Sequence, residues 1–205
     1  MTAGSERRGG ANLLPRDGVA WLVPAALDPA AADAAFVRLR DRIEWQQQQV
    51  RIMGRTVPLP RLTAWYGDAG YAYSGLANAP RPWLPELRAL AEVAEGIAGA
   101  KFDGVLANLY RDGRDSVAWH ADDEPELGND PVIASLSLGA VRRFKLRHRA
   151  ERSLAIDLDL PHGSLLVMGS GVQRHWRHAL PKTSRPVGPR LNLTFRCLAR
   201  GQRCG

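Results

Sequence analysis

Lysine, cysteine and long apolar runs are what this sequence has least of. Cys197 and Cys204 are the only two cysteines, both within the last nine residues. No disulfide framework therefore staples the fold, which fits a reducing compartment. The best apolar stretch, Val19 to Leu27, is interrupted by Pro24 and falls far short of the ~20 residues needed to span a bilayer. The first residues, Met1 to Arg8, lack the apolar core of a secretory signal. These absences predict a soluble, cytoplasmic protein with no membrane partner, and a monomer. Lysine occurs only at Lys101, Lys145 and Lys182, so the other 25 of the 28 basic residues are arginine.

What is present is ordinary in amount and unusual in sign. The 205 residues are 45% hydrophobic and 24% charged, which excludes a wholly disordered chain, a collagen-like repeat and a disulfide-knotted miniprotein. A chain of this length buries roughly 70% of its unfolded surface on folding. The net charge is +7 and the isoelectric point about 10.1. A basic surface suits a polyanionic partner because neutralised phosphates release counterions.

Residues 1–18 carry no periodicity and read as a mobile lead-in to one domain over 19–205. Asp28 and Pro29 form a helix start, as N-cap and first helical residue. Phe36, Leu39 and Ile43 follow at helical spacing up to about Trp45. From Val50 to Tyr73, Gly54, Pro58, Pro60, Gly67 and Gly70 punctuate short extended pieces, which predicts hairpins and loops outside the core. A second helix is expected over 84–98, with Leu84, Leu87, Leu90, Val93 and Ile97 on one face. Strands are expected at 103–110, 116–121, 131–138, 141–148, 153–159, 163–168 and 189–198. The predicted class is α+β, mainly β: a sandwich or jelly roll with N-terminal helices packed on one sheet. Residues 19–100 supply the helices and a hairpin lid, and 101–198 the core.

Three short patterns carry chemistry. In Arg190-Leu-Asn192-Leu-Thr194-Phe-Arg196 the polar residues share one strand face and Leu191, Leu193 and Phe195 the other. Were that polar face to line a barrel, its two arginines would need anionic partners, and a dianionic small molecule fits their bidentate forks. Asn108 and Tyr110 likewise share a face in an otherwise apolar strand. In His120-Ala-Asp122, imidazole and carboxylate point the same way. A second histidine from elsewhere would complete a two-histidine, one-carboxylate set with open metal positions, the arrangement of non-haem Fe(II) oxygenases. Among the remaining histidines, His148 reads as a surface residue and His162 as a turn residue. His178, placed in a loop returning to the final strand, and His175 are left as the candidates for a ligand.

Taken in order, Asn108-x-Tyr110, His120-x-Asp122, Pro131 to Gly139, Gly163 to Met168, Trp176-x-His178 and Arg190 to Arg196 resemble the AlkB-type dioxygenases. These are Fe(II)- and 2-oxoglutarate-dependent enzymes that remove alkyl groups from nucleic acids. Tyr66-Gly-Asp-Ala-Gly70 and Asp122-Asp123-Glu124 look most like the branch acting on DNA. The resemblance covers roughly residues 50–198 and implies a double-stranded β-helix. It implies that His120, Asp122 and His178 hold Fe(II), and that Arg190 and Arg196 take the carboxylates of 2-oxoglutarate. Asn108, Tyr110, Asn192 and Thr194 would complete the cosubstrate site, with O₂ as second cosubstrate. The implied reaction hydroxylates an N-alkyl carbon of a 1-methyladenine- or 3-methylcytosine-type lesion and yields succinate, CO₂ and formaldehyde.

A cationic lesion extruded from the stack suits an acidic, aromatic pocket. The resemblance assigns Asp123 and Glu124 as the acid and Tyr71 and Tyr73 as the aromatic lid. In the basic strand Arg143, Lys145, Arg147 and Arg149 share one face, which reads as a phosphate track, with Arg51, Arg55 and Arg61 gripping a second strand. Met53 stands where duplex-acting members carry an aromatic wedge, and methionine can serve as an apolar one. The expected partner is alkylated DNA, single- or double-stranded, with RNA or a protein substrate as the alternative.

Overall fold

The computed structural model describes residues 10–52, 54–73 and 76–198. In chain order the elements are β1 (Ala20–Val23), α1 (Pro29–Arg42), β2 (Gln49–Ile52), β3 (Arg55–Pro58), β4 (Leu62–Gly67), β5 (Tyr71–Tyr73), β6 (Leu76–Asn78), α2 (Pro85–Ala98), β7 (Gly104–Tyr110), β8 (Val117–His120), β9 (Ile133–Gly139), β10 (Arg142–His148), β11 (Ala155–Leu160), β12 (Ser164–Met168), α3 (Val172–His175), β13 (Trp176–Leu180) and β14 (Arg190–Arg196). Six strands form the major sheet, ordered β1-β12-β9-β14-β7-β4, and four form the minor sheet, ordered β11-β10-β13-β8. Pairing within both sheets is antiparallel. Facing each other, they make the jelly roll expected from the strand count. No helix among the described residues is long and apolar enough to cross a membrane.

Alternation along the strands divides the apolar residues between two layers. Leu191, Leu193 and Phe195 of β14 pack with Val105 and Ala107 of β7 and with Leu39, Leu87 and Ala91 of the helices. Leu106, Phe144, Leu146, Met168 and Trp176 fill the space between the sheets instead. Because helices cover one face of the major sheet and the minor sheet the other, all seven residues of β14 are buried. The polar face of that strand is therefore interior.

The helices start where the sequence predicts. The Asp28 side chain accepts from Ala31 N at 2.9 Å, Pro29 opens α1, and Gly99 closes α2 in the left-handed region at φ 67°. The buried stripe of α2 is Leu87, Leu90, Ala91, Ala94 and Glu95. Val93, expected on that stripe, is 38% exposed, because the face narrows onto the alanines where the helix approaches the sheet.

Two expectations fail. The stretch 50–73 is not all hairpin and loop. β2 pairs with β3, but β4 joins the major sheet beside β7, in register from Leu62 opposite Leu109 to Gly67 opposite Gly104. Ala64 and Tyr66 face the helices and Trp65 faces the minor sheet, so burial on both sides removes the alternation that marks a strand. His178 lies in strand β13, not in a loop, with His120 as its register partner.

Candidate metal and cosubstrate site

Strand period and strand pairing assemble the site. His120 ends β8 and Asp122 follows two residues later on the same side. β13 brings His178 against His120, and their rings sit 4.2 Å apart edge to face. One ligand atom from each of His120, Asp122 and His178 lies within 4.8 Å of the others. His120 Nδ1 is 2.8 Å from the Ala118 carbonyl oxygen. A proton on Nδ1 donated to that oxygen leaves the Nε2 lone pair available to a metal. Phe144 stacks on the His178 ring at 5.4 Å and fixes its plane. The Asp122 backbone N–H donates to Gln173 Oε1 at 2.9 Å, which pins the carboxylate from behind.

The electrostatics suit a divalent cation. Burial pushes the His178 imidazole down to about 3, with His120 adding to the effect. Burial also lowers His120, against the pull of Asp122. Both rings are thus neutral at physiological pH. Burial alone would raise the Asp122 carboxyl, but Arg196, His178 and His120 hold it down at about 2. Two neutral imidazoles and one ionised carboxylate are the donor set that such a metal requires.

Six polar side chains continue the same cavity. Asn108, Tyr110, Arg190, Asn192, Thr194 and Arg196 all line it together with the three candidate ligands. Arg196 Nη2 donates to Asp122 Oδ1 at 2.9 Å. Arg190, 1% exposed, donates from Nη2 to Ser137 Oγ at 2.8 Å and lies 5.3 Å from the Tyr110 ring. Its Nε and Nη1 are buried with no hydrogen-bond partner. Burial lowers it to about 10, and nearby Arg142 adds to that while Tyr110 opposes it. Buried guanidinium N–H groups left unpaired are costly, and a ligand carboxylate answers that need. The residues present therefore fit both a metal and a dianionic cosubstrate.

Five participants were not singled out beforehand in these roles. Ser135 and Ser137 hold Asn192 and Arg190, and their alternation with Ala134 and Leu136 was a readable signal. Phe144 and Gln173 offered none. Arg61, expected on a nucleic-acid strand, is 3% exposed and donates from Nε to Asn108 Oδ1 at 2.8 Å. Its charge is spent inside, where Asn108 needs a donor.

The outer assignments fare differently. His148, expected at the surface, is 4% exposed, because its face of β10 turns inward with Phe144 and Leu146. Arg143 pairs with Asp159 and Asp157, and Lys145 with Asp157. Arg147 lies 4.3 Å over the Trp119 ring. Asp123 is exposed and accepts from Arg149 Nη2 at 2.5 Å. Glu124 precedes a short 3-10 turn at Pro125–Leu127 and makes no side-chain capping bond to it. Met53 lies outside the described residues, as do the side chains of Tyr71 and Tyr73.

The 2OG-Fe(II) oxygenase superfamily matches residues 19–196. The chain belongs to that superfamily. The donor set above fits the Fe(II) of the superfamily's name, and the buried arginine fits a dianion such as 2-oxoglutarate. It is 42% identical over 187 residues to the rat alpha-ketoglutarate-dependent dioxygenase alkB homolog 3, covering 85% of this chain and 62% of the relative. It is 40% identical over 179 residues to the human DNA oxidative demethylase ALKBH2, covering 82% and 69%. The chain thus spans somewhat under two thirds of several of the relatives it matches. The solved structure of OsALKBH1 superposes with a TM-score of 0.65 at 17% identity, covering 89% of this chain and 97% of that one, and shares the fold.

Proposed function

We propose that this chain is an oxidative demethylase of N-alkylated bases in DNA, of the 1-methyladenine and 3-methylcytosine type. The observation that carries the reading is the meeting of His120, Asp122 and His178 in one cavity with Arg190, a buried arginine that pairs with no carboxylate among the described residues. The similarity to a protein named DNA oxidative demethylase supports the substrate class.

In this reading His120, Asp122 and His178 hold Fe(II), which supplies the oxidising power when O₂ and 2-oxoglutarate are bound. Arg190 receives one carboxylate of 2-oxoglutarate on its unpaired Nε–H and Nη1–H, with Tyr110 beside it. Arg196 takes the other, next to the metal. Asn108, Asn192 and Thr194 orient the cosubstrate, and Ser135 and Ser137 keep those groups in register. Phe144, Leu106, Met168 and Leu180 keep the cavity apolar between these points and exclude stray water. Asp123 and Glu124, next in the chain after Asp122, would favour a cationic lesion, and Tyr71, Tyr73 and Met53 would be its aromatic and apolar contacts. Arg147 lies along the phosphate path, whereas Arg143, expected there too, already pairs with Asp157 and Asp159. The enzyme works as a monomer on single-stranded or locally opened DNA, since extrusion costs least there.

The test is mass spectrometry of short oligonucleotides carrying 1-methyladenine or 3-methylcytosine after incubation with the chain, Fe(II), 2-oxoglutarate and O₂. Loss of one methyl group with matching formaldehyde and succinate is expected. Matched methylated RNA and a methylated peptide run beside it. Turnover of RNA equal to or above DNA would overturn the substrate choice, and no turnover of any would overturn the activity.

A further inference from the structure

His120 and Val117 line a second concavity besides the metal cavity. It is a groove of about 700 Å³ between the β2–β3 hairpin and the edge strand β8. Val57, Pro58, Ala118 and Trp119 make its walls apolar. The described residues lining it include the cations Arg61 and Lys182 and no carboxylate. Two large hydrophobic side chains stand exposed on this one groove, Val57 at 40% and Trp119 at 36%. Isolated exposed apolar residues are ordinary, but two facing one groove mark a binding surface.

The outer face of the minor sheet says what binds there. On the β11 side its cations are neutralised: Arg143 and Lys145 pair with Asp157 and Asp159. Toward β8 they are not. Arg147 stands in register opposite Arg177 of β13, and neither forms a salt bridge among the described residues. Like charges directly opposite across a sheet are destabilising, and a polyanion would relieve them. The Arg147 guanidinium instead covers the Trp119 indole at 4.3 Å. Trp119 lines the groove and Arg147 does not, so the ring is clamped from outside and presented inward.

We propose that Trp119, held by Arg147, is a stacking platform for a base that flanks the one being repaired. The groove takes a single-stranded nucleic-acid segment whose phosphates run past Arg147, Arg177 and Lys182. Aromatic stacking tolerates any base because every base has a π-face. A base beside an extruded neighbour has lost one stacking partner and offers that face. The proposal rests on the nucleic-acid reading above and extends it to a subsite outside the metal cavity.

Fluorescence anisotropy tests it, with a labelled, unmodified thymidine pentanucleotide and the full chain loaded with Fe(II) and 2-oxoglutarate in the absence of oxygen. Trp119→Ala is expected to weaken binding roughly five- to hundredfold, with Trp119→Phe keeping most of the affinity. Arg147→Gln is expected to weaken it less and to lower the slope against log salt by about one. Wild-type affinity in Trp119→Ala, or no binding by the wild type, overturns the platform. Should Trp119→Ala fail to fold, Arg147→Gln decides: unchanged affinity and salt slope overturn the proposal. Failure of the demethylase reading appears separately, as absent formaldehyde release from methylated oligonucleotides by a wild type that still binds the pentanucleotide.

Discussion

The two ends of β14 begin alike and finish differently. Arg190 and Arg196 lie on one face of one strand and are 1% and 2% exposed. Each has a glycine as register partner, Gly139 for Arg190 and Gly104 for Arg196. At one end Arg196 is bonded to the carboxylate of Asp122. At the other Arg190 is bonded to Ser137 and lies by the Tyr110 ring, with the cation Arg142 nearby and no carboxylate paired to it among the described residues. The first cation is balanced by a candidate metal ligand beside it, and in the proposed function the second is open to a ligand carboxylate. A buried charge with a built-in partner offsets much of its desolvation cost in the apo fold, whereas one without it trades stability for binding.

The largest expected effect lies at the ligand end. Asp122→Ala or His178→Ala should lower metal affinity and succinate formation by more than about 100-fold, since even outer partners of metal ligands are worth ~10–100-fold. Isothermal titration of Fe(II) under nitrogen reads the first and product assay the second. Turnover near the wild-type rate in either variant would remove the ligand assignment.

Next, Arg196→Met and Arg190→Met should part company. Arg196→Met strands a buried carboxylate and is expected to cost about 3–5 kcal/mol in urea unfolding of the metal-free chain. Arg190→Met should leave stability unchanged or raised, yet weaken 2-oxoglutarate binding about ten- to hundredfold through lost charged hydrogen bonds. Equal stability losses in the two variants would erase the distinction between the ends.

Acid sharpens the comparison further. His178 is depressed to about 3 in the fold against ~6.5 unfolded. Between those values the unfolded chain binds a proton that the metal-free native chain refuses. Stability is therefore complete above pH ~6.5 and is lost as pH falls toward 3, with a slope of about 1.4 kcal/mol per pH unit from this group. Asp122, held at about 2, adds a second loss of the same sign below pH ~3.9. Urea midpoints from pH 7 to 4 measure it, and a flat profile would mean that His178 protonates in the native state.

The glycines give the smallest effects. A Cβ at Gly104 would meet the Trp65 ring at 2.3 Å, and one at Gly139 would meet the Pro189 carbonyl oxygen at 2.5 Å with φ at 85°. Gly104→Ala and Gly139→Ala should each cost about 1–3 kcal/mol by thermal melting. Wild-type stability in both would show that the strand ends have room to shift.

Much of the site was legible because strand geometry is local. His120 and Asp122 share a side, as do Asn108 and Tyr110, and the four polar residues of β14 share a face by the same two-residue period. The final strand needed no partner to be read. β4 was not legible because both its faces are covered and Pro60 and Gly67 bracket it like loop residues. Strand β13 went unread because His175 and His178 draw notice as individual ligand candidates, not as parts of a run. Arg61 gave no sign of burial, since its acceptor, Asn108, lies 47 residues away.

The order of residues determined which side chains travel together, because alternation is a property of the backbone alone. Tertiary structure decided which of those faces is interior, since that depends on what another part of the chain lays across it. It also decided which arginines arrive already neutralised: Arg143 meets Asp159, Arg196 meets Asp122, and Arg190 and Arg147 meet no carboxylate among the described residues. A charge's sign is written in the sequence, but its partner is chosen by folding, because Coulomb attraction acts through space and not along the chain.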